Sequence, residues 1–252
     1  MFYAILNFTL SGAIGVIGLL TLKKVSTPRE VVFASLPLLF ALHQFTQGFV
    51  WLGVNHLIGE RALHMAESIF VFYAQGLLQF LVPLAIWLIE PKGYKKRIIW
   101  FLMIVGGLLT AYTLWGLSVQ PTYVGVKDNA LVYINPWTDH AWVAAIYILT
   151  TCGSLILSSS IAIQLFGWLN LIGLSIVALL KPYAFTSVWC FYAAAVSVLL
   201  YFYFVERRIK FLQILREKEY GLSSELEKEL AVLEGRYPKI RKKLSAIFEK
   251  SR

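Results

Sequence analysis

Polar and aromatic side chains recur at helical spacing within residues 31–59, a stretch without Asp, Glu, Lys or Arg. His43, Gln47 and Trp51 are four residues apart and share one helix face, and Gln44 lies beside them. An unpaired polar group in apolar surroundings costs roughly 2–7 kcal/mol. Such a cluster therefore needs polar partners, or a function that maintains it.

The next charge-free stretch carries a matching pair. Gln75 and Gln79 are again four residues apart, and a short connection makes the two predicted helices antiparallel neighbours, so these amides face the first cluster. Hydrogen bonds that merely join helices contribute about 0.6 to 2 kcal/mol each. Four amides and one imidazole exceed what helix association needs, so we predict a polar pocket. The predicted ligand-binding residues are His43, Gln44, Gln47, Trp51, Glu67, Gln75 and Gln79.

A second cluster combines histidine with carboxylates. His64 and Glu67 open one predicted helix with i, i+3 spacing, and Asp139 and His140 open another. Histidine and carboxylate are the ligands of catalytic Zn²⁺ and similar ions. The same groups also serve as helix caps and ion pairs, for example Glu67 with Lys181. Both interpretations stay open. In the first, His64, Glu67, Asp139 and His140 hold a divalent metal ion that could take part in catalysis.

Charge-free stretches define the elements that must position these residues. A bilayer core about 30 Å thick requires roughly 20 apolar residues per helix, so five stretches hold one span each and residues 140–180 hold two. A mean hydropathy of +0.68 is too high for a soluble domain. The sequence therefore predicts an all-α polytopic membrane protein with seven transmembrane helices. The predicted helices are 3–22, 31–53, 62–90, 97–117, 139–157, 161–180 and 184–206.

Basic residues collect on one side of these helices. Ten follow predicted helices 1, 3 and 7: Lys23, Lys24, Arg29, Lys92, Lys95, Lys96, Arg97, Arg207, Arg208 and Lys210. The opposite connections hold Arg61, Lys127 and Lys181. The positive-inside rule then places the N-terminus outside and the C-terminus in the cytoplasm of a multi-pass cell-membrane protein, in a bacterial or archaeal inner membrane.

Three connections have their own signals. Residues 130–134 predict a short strand, because β-formers lie between turn residues, and this strand is a candidate lid over the outer mouth. Residues 158–160, three serines in a row, predict a tight turn. Lys181 and Pro182 predict the next turn on the opposite side.

The chain divides into a transmembrane domain, residues 1–206, and a charged tail, residues 207–252. From residue 206 onward 13 Lys or Arg stand against eight Glu, and apolar residues recur at helical spacing. We predict short amphipathic helices that lie on anionic lipid headgroups. Docking of a protein partner or of a second copy in a homo-oligomer is the alternative. No nucleic-acid partner is predicted.

Residues 37–51 carry a resemblance to a known family. They are similar to P-L-L-F-x-x-Q-Q-x-x-E-G-x-x-W, the signature of an uncharacterised family of small bacterial seven-helix membrane proteins, with His43 in place of the first Gln and Gln47 in place of Glu. Further similar segments are 82–85, 90–91 and 187–194. The resemblance covers about residues 1–206. It implies the seven-helix fold and marks this helix face, and it names no reaction.

Three functions fit these residues. The first is a sensor or transporter-like protein that binds a small molecule or lipid headgroup between predicted helices 2, 3, 5 and 7. The second is a membrane-embedded, metal-dependent hydrolase or lipid-modifying enzyme, in which the metal activates a water. The third is an assembly or scaffold protein that acts through its basic tail. We take ligand binding as the working hypothesis and keep the other two as alternatives.

Overall fold

The computed structural model describes residues 1–180, 185–217, 224–238 and 240. It is 81% helical, which confirms the all-α class. The helices are α1 Phe2–Leu22, α2 Val31–Val54, α3 Glu60–Val71, α4 Leu78–Ile89, α5 Tyr94–Val119, α6 Ala141–Leu157, α7 Ile161–Leu180, α8 Phe185–Val196, α9 Leu199–Glu217 and α10 Ser224–Arg236. The strands are β1 Tyr123–Lys127 and β2 Ala130–Ile134. The predicted turn at Lys181 and Pro182 lies outside the described residues, as do residues 241–252 of the tail.

Six apolar helical segments within the described residues are long enough to cross a membrane. They are Phe2–Leu22, Pro28–Val54, Glu60–Ile89, Tyr94–Val119, Ile161–Leu180 and Thr186–Ile214. The predicted span 139–157 corresponds to α6, an apolar helix of 17 residues that is shorter than these six. The length and composition of the six segments are those of a multi-pass membrane protein.

Glycines permit close helix contacts, and Gly18 and Gly106 are two examples. A Cβ on Gly18 of α1 would lie 2.7 Å from the backbone nitrogen of Leu38 in α2, so these helices pack at backbone distance. A Cβ on Gly106 of α5 would collide with the carbonyl oxygen of Gln79 in α4. Small residues at such crossings are typical of helix packing in membranes. The second contact brings α5 directly against a predicted site residue.

The segment Glu60–Ile89 is one bent rod rather than a uniform helix. A π-helical turn, Phe72–Leu77, joins α3 to α4, and Pro83 lies inside α4. A π-helical turn widens the helix locally and frequently occurs at functional sites. Gln75 lies within this turn, so its backbone is displaced from the regular helical path.

A two-stranded hairpin connects α5 to α6 and confirms the predicted strand at residues 130–134. β1 and β2 pair antiparallel, with Tyr123 opposite Ile134 and Lys127 opposite Ala130. Asp128 and Asn129 form the turn with φ of 46° and 60°, the left-handed backbone that a tight hairpin needs. We call the end of the bundle that carries this hairpin the hairpin end.

The opposite end of the bundle holds the turn between α6 and α7, at residues 158–160 as predicted, and we call it the serine-turn end. Glu90, which is 4% exposed, closes this turn. Its carboxylate accepts hydrogen bonds from Ser158 Oγ at 3.0 Å and from the backbone N–H of Ser159 at 2.9 Å. Nearby, the buried Glu30 pairs with Arg207 at 2.7 Å.

The described part of the tail folds back onto the bundle. Leu230 and Leu233 of α10 pack against the apolar residues Val205, Ile209 and Leu212 of α9. Glu229 of α10 forms ion pairs with Lys24 at 3.1 Å and with Arg208 at 2.9 Å. Partial burial opposes ionisation of Glu229, but the hydrogen bonds from these two cations outweigh it and lower the pKa of the carboxyl.

Candidate functional site

A cavity of about 250 Å³ lies near the hairpin end of the bundle. The π-helical turn and α4 form one wall, β2 forms a second, and α6 and α8 close the others. Its polar lining residues are Gln75, Gln79, Tyr133, Thr138, Asp139, His140, Tyr147 and Thr186. Apolar and aromatic side chains, among them Leu131, Val143 and Trp189, complete the wall.

Five polar atoms of these lining residues are buried and have no hydrogen-bond partner within the described part of the chain. They are Gln75 Oε1, Gln79 Oε1, Tyr133 OH, Thr138 Oγ1 and Tyr147 OH. A buried polar group without a partner costs about 1–3 kcal/mol. Five such groups on the residues that line one cavity indicate a site where water or a ligand supplies the missing partners.

Hydrogen bonds to neighbouring helices orient the side-chain amides of Gln75 and Gln79. Gln75 Nε2 donates to Thr186 Oγ1 of α8 at 3.3 Å, and Gln79 Nε2 donates to Thr113 Oγ1 of α5 at 3.0 Å. Thr113 in turn donates to the carbonyl of Leu109 at 3.0 Å, so its hydroxyl proton is already committed. Both amide nitrogens are therefore engaged, and both amide oxygens remain as acceptors at the cavity.

The mouth of the cavity lies beside the hairpin. Asp139 and His140, which precede α6, are exposed and line it. Partial burial raises the pKa of Asp139, and the neighbouring His140 opposes this shift. Asn135 anchors the base of the hairpin through its Nδ2, which donates to the carbonyl of Gln120 at 3.2 Å.

Tyr133 connects the cavity to the interior of the bundle. Burial raises its pKa well above the ordinary value, so its phenol stays neutral. Its ring stacks on Phe70 with centroids 4.4 Å apart, and Phe70 stacks on His43 at 4.0 Å. His43 thus lies two rings behind the cavity wall.

The polar cluster on α2 does not line the cavity, and here the structure differs from the arrangement expected from the sequence. His43, Gln44 and Gln47 are all buried among helices, and Gln47 Nε2 donates to Ser187 Oγ of α8. Trp51 stacks on Tyr3 of α1, with centroids 4.8 Å apart. For His43 the reason is Phe70, whose ring lies between the imidazole and Tyr133 of the cavity wall.

The four predicted metal ligands are not brought together. His64 Nδ1 lies 3.0 Å from Glu67 Oε2, and Glu67 is 3% exposed, but neither residue lines the cavity. Asp139 and His140 lie at the cavity mouth. Among the residues that the structure describes, no group of three or more His, Cys, Asp or Glu could hold a metal ion. The expected partner of Glu67, Lys181, lies outside those residues.

Several cavity residues were missed by sequence reasoning: Tyr133, Thr138, Tyr147, Thr186 and Trp189. Tyr133 lies two residues after Leu131 in β2. Side chains two residues apart share one face of a strand, so the ring of Tyr133 is expected on the same buried face as Leu131. Tyr147 follows Val143 at helical spacing. Both residues carry a polar tip on an apolar body, and this was the signal available in the sequence.

Membrane-length apolar helices around a polar cavity define a multi-pass helical membrane protein. The chain belongs to the Family of unknown function (DUF6629), whose family model matches residues 2–213. The match extends from α1 into α9 and ends before α10, close to the limit at residue 206 expected from the sequence. No significant match to the chain is found among curated proteins or among solved structures.

Proposed function

We propose that this protein binds a small, uncharged polar molecule in the cavity near the hairpin end, as a sensor or transporter-like membrane protein. The observation that supports the proposal is the convergence of five unpaired buried polar atoms on one cavity. Polar groups within apolar surroundings are costly and are typically maintained by function.

The chemistry of the lining supports an uncharged ligand. The inner residues offer amide oxygens and hydroxyls, and the raised pKa of Tyr133 favours its neutral phenol. The ionisable residues Asp139 and His140 lie at the mouth. A ligand that donates hydrogen bonds to Gln75 and Gln79 would complete the site. At about 30 Å³ per water, the cavity volume equals that of about eight waters, so the ligand is small.

The proposal includes seven spans, with the N-terminus outside and the C-terminus in the cytoplasm of a cell-membrane protein. α6 has 17 residues, the lower limit of roughly 17–25 for a membrane span. Most of the basic residues in the connections follow predicted helices 1, 3 and 7, on the same side as the serine turn, and the positive-inside rule assigns that side to the cytoplasm. The cavity then faces outward, under the hairpin.

The ligand is sought by extracting the purified full-length protein and identifying small molecules by mass spectrometry. Gln75→Leu and Gln79→Leu remove amides that line the cavity, whereas Gln47→Leu removes a buried amide that does not. We expect the first two variants to lose a compound that the wild-type protein and Gln47→Leu both retain. The absence of any bound compound from wild type, or its equal retention in all variants, would contradict the proposal.

The orientation is tested separately by cysteine labelling of intact cells. A Cys at position 127, in β1, should react with an impermeant reagent without permeabilisation, and a Cys at position 96 only after it. The reverse pattern would overturn the orientation and leave ligand binding unaffected. The metal-dependent enzyme is not proposed, because its four predicted ligands are not brought together in the described part of the chain.

A further inference from the structure

A basic groove lies at the serine-turn end, between the end of α4 and the start of α5, far from the cavity. Its volume is about 380 Å³, and it is lined by Trp87, Lys92, Gly93, Lys96, Arg97 and Trp100. Two tryptophans and three cations therefore surround one opening. We call this the α4–α5 groove.

The positive charge of the α4–α5 groove is not balanced. Arg29 and Lys92 lie close enough to Lys96 to repel its charge. Lys96 donates to the backbone carbonyl of Glu90 at 2.9 Å and lies 5.0 Å from the ring centroid of Trp87, so its position is defined. None of these cations forms an ion pair with any carboxylate in the described residues.

The nearby carboxylate is already engaged. Glu90 acts on Lys96 electrostatically, but its oxygens accept hydrogen bonds from Ser158 and from the backbone of Ser159. One carboxylate that closes a turn does not neutralise the cations of the groove. An anion from outside the chain would neutralise them.

The surroundings of the groove favour a lipid as the source of that anion. Along α5, the side chains of Phe101, Ile104 and Leu108 are 61%, 41% and 68% exposed, and they continue the groove as an apolar face. Tryptophans at the level of lipid headgroups and cations that attract anionic lipids are typical of this depth. A soluble anion would make no use of the apolar face.

We infer that the α4–α5 groove binds the headgroup phosphate of an anionic phospholipid, between Lys92, Lys96 and Arg97, with an acyl chain along the exposed face of α5. The planar guanidinium of Arg97 suits two parallel hydrogen bonds to phosphate oxygens. Lys96 uses one of its three donors on the Glu90 carbonyl and keeps two for the ligand.

The test uses the full-length protein in phosphatidylcholine nanodiscs that contain increasing fractions of phosphatidylglycerol. Native mass spectrometry counts the retained phosphatidylglycerol. The groove variant combines Lys92→Gln, Lys96→Gln and Arg97→Gln. The control variant, Lys23→Gln, Lys210→Gln and Lys228→Gln, removes three exposed cations outside the groove. We expect about tenfold weaker binding in the groove variant, equivalent to about 1.4 kcal/mol, and less than about twofold in the control.

A second arm distinguishes the sources of phosphate. Inorganic phosphate is added to the protein in pure phosphatidylcholine nanodiscs, and its retention is compared between the same variants. Groove-dependent retention of phosphatidylglycerol without retention of inorganic phosphate supports the inference. Equal phosphatidylglycerol retention by the groove and control variants, or equally strong groove-dependent binding of inorganic phosphate, overturns it. If circular dichroism shows that the triple variant is misfolded, the single variant Arg97→Gln, at an exposed position, replaces it in both measurements.

Discussion

The two ends of the helix bundle differ in how their buried polar groups are paired. At the serine-turn end, the Glu90 carboxylate is held by Ser158 and Ser159, and Glu30 is paired with Arg207. At the hairpin end, lining atoms such as Gln75 Oε1 and Tyr133 OH have no partner in the described chain. The first arrangement closes turns and joins helices, whereas the second leaves hydrogen-bonding atoms of cavity-lining residues without a partner in the described chain.

Structural and functional polar residues of a membrane bundle are expected to differ in how they are paired. A polar residue that only joins helices finds its partners within the protein, because every unpaired atom costs about 1–3 kcal/mol. Residues that serve a ligand retain that cost in the unliganded chain. Pairing alone does not make the distinction, because His43, Gln44 and Gln47 also carry buried atoms without a partner in the described chain and do not line the cavity. Substitution therefore has to separate the two kinds of residue.

The largest expected effect is at the paired end. Glu90→Ala removes the acceptor of both Ser158 Oγ and the Ser159 N–H, so we expect a loss of about 2–4 kcal/mol in the free energy of unfolding. Denaturant titration in detergent measures it. Glu60→Ala, at an exposed position in the first turn of α3, is the control, with an expected loss below about 1 kcal/mol. Equal losses in the two variants would show that the Glu90 hydrogen bonds do not stabilise the serine-turn end.

The second prediction compares two glutamines inside the bundle, the buried Gln47 and the half-buried Gln75. Gln47→Leu removes the hydrogen bond from α2 to Ser187, so we expect a loss of about 1 kcal/mol. Gln75→Leu also removes one hydrogen bond, to Thr186 at 3.3 Å, but the amide oxygen it removes belongs to a cavity-lining residue, so we expect an equal or smaller loss of stability together with loss of the bound ligand. The same titration measures both. A larger loss for Gln75→Leu than for Gln47→Leu would show that the cavity amides are structural.

The sequence predicted the helical class because charge-free runs need only length and hydropathy to be recognised. It also predicted the strand at residues 130–134 and the turn at residues 158–160, where local residue types decide the backbone. The pairing of β2 with β1 was not predicted, because Tyr123–Lys127 has no strong alternation of its own.

The site was predicted in part, for a physical reason. Helical spacing identifies which residues share a face, so Gln75 and Gln79 were found together. It does not show what fills the space between two helices. Phe70, an apolar residue without any functional signal, separates His43 from the cavity wall by stacking on both His43 and Tyr133. Long-range packing of this kind depends on the assembled bundle.

The smallest expected effect concerns the ion pairs that dock α10 at the serine-turn end. Because Lys24 and Arg208 lower the pKa of Glu229 below its unfolded value of about 4.5, the carboxylate contributes stability above that pH. The contribution is lost as the pH falls through the lowered pKa. Glu229 is 26% exposed, so we expect the docking to weaken by less than about 1 kcal/mol.

Hydrogen exchange of α10 amides at pH 7 and pH 3 measures this docking. Wild type should lose protection in α10 at the lower pH, once exchange rates are corrected for their intrinsic pH dependence. Glu229→Gln should show the weaker protection already at pH 7, because an amide cannot form the two ion pairs. Glu227→Gln, two residues earlier and exposed, should behave as wild type at both values. Identical protection in all three proteins would show that the leucine contacts of α10 alone hold the tail, and that the ion pairs at this end contribute nothing to the contrast with the cavity.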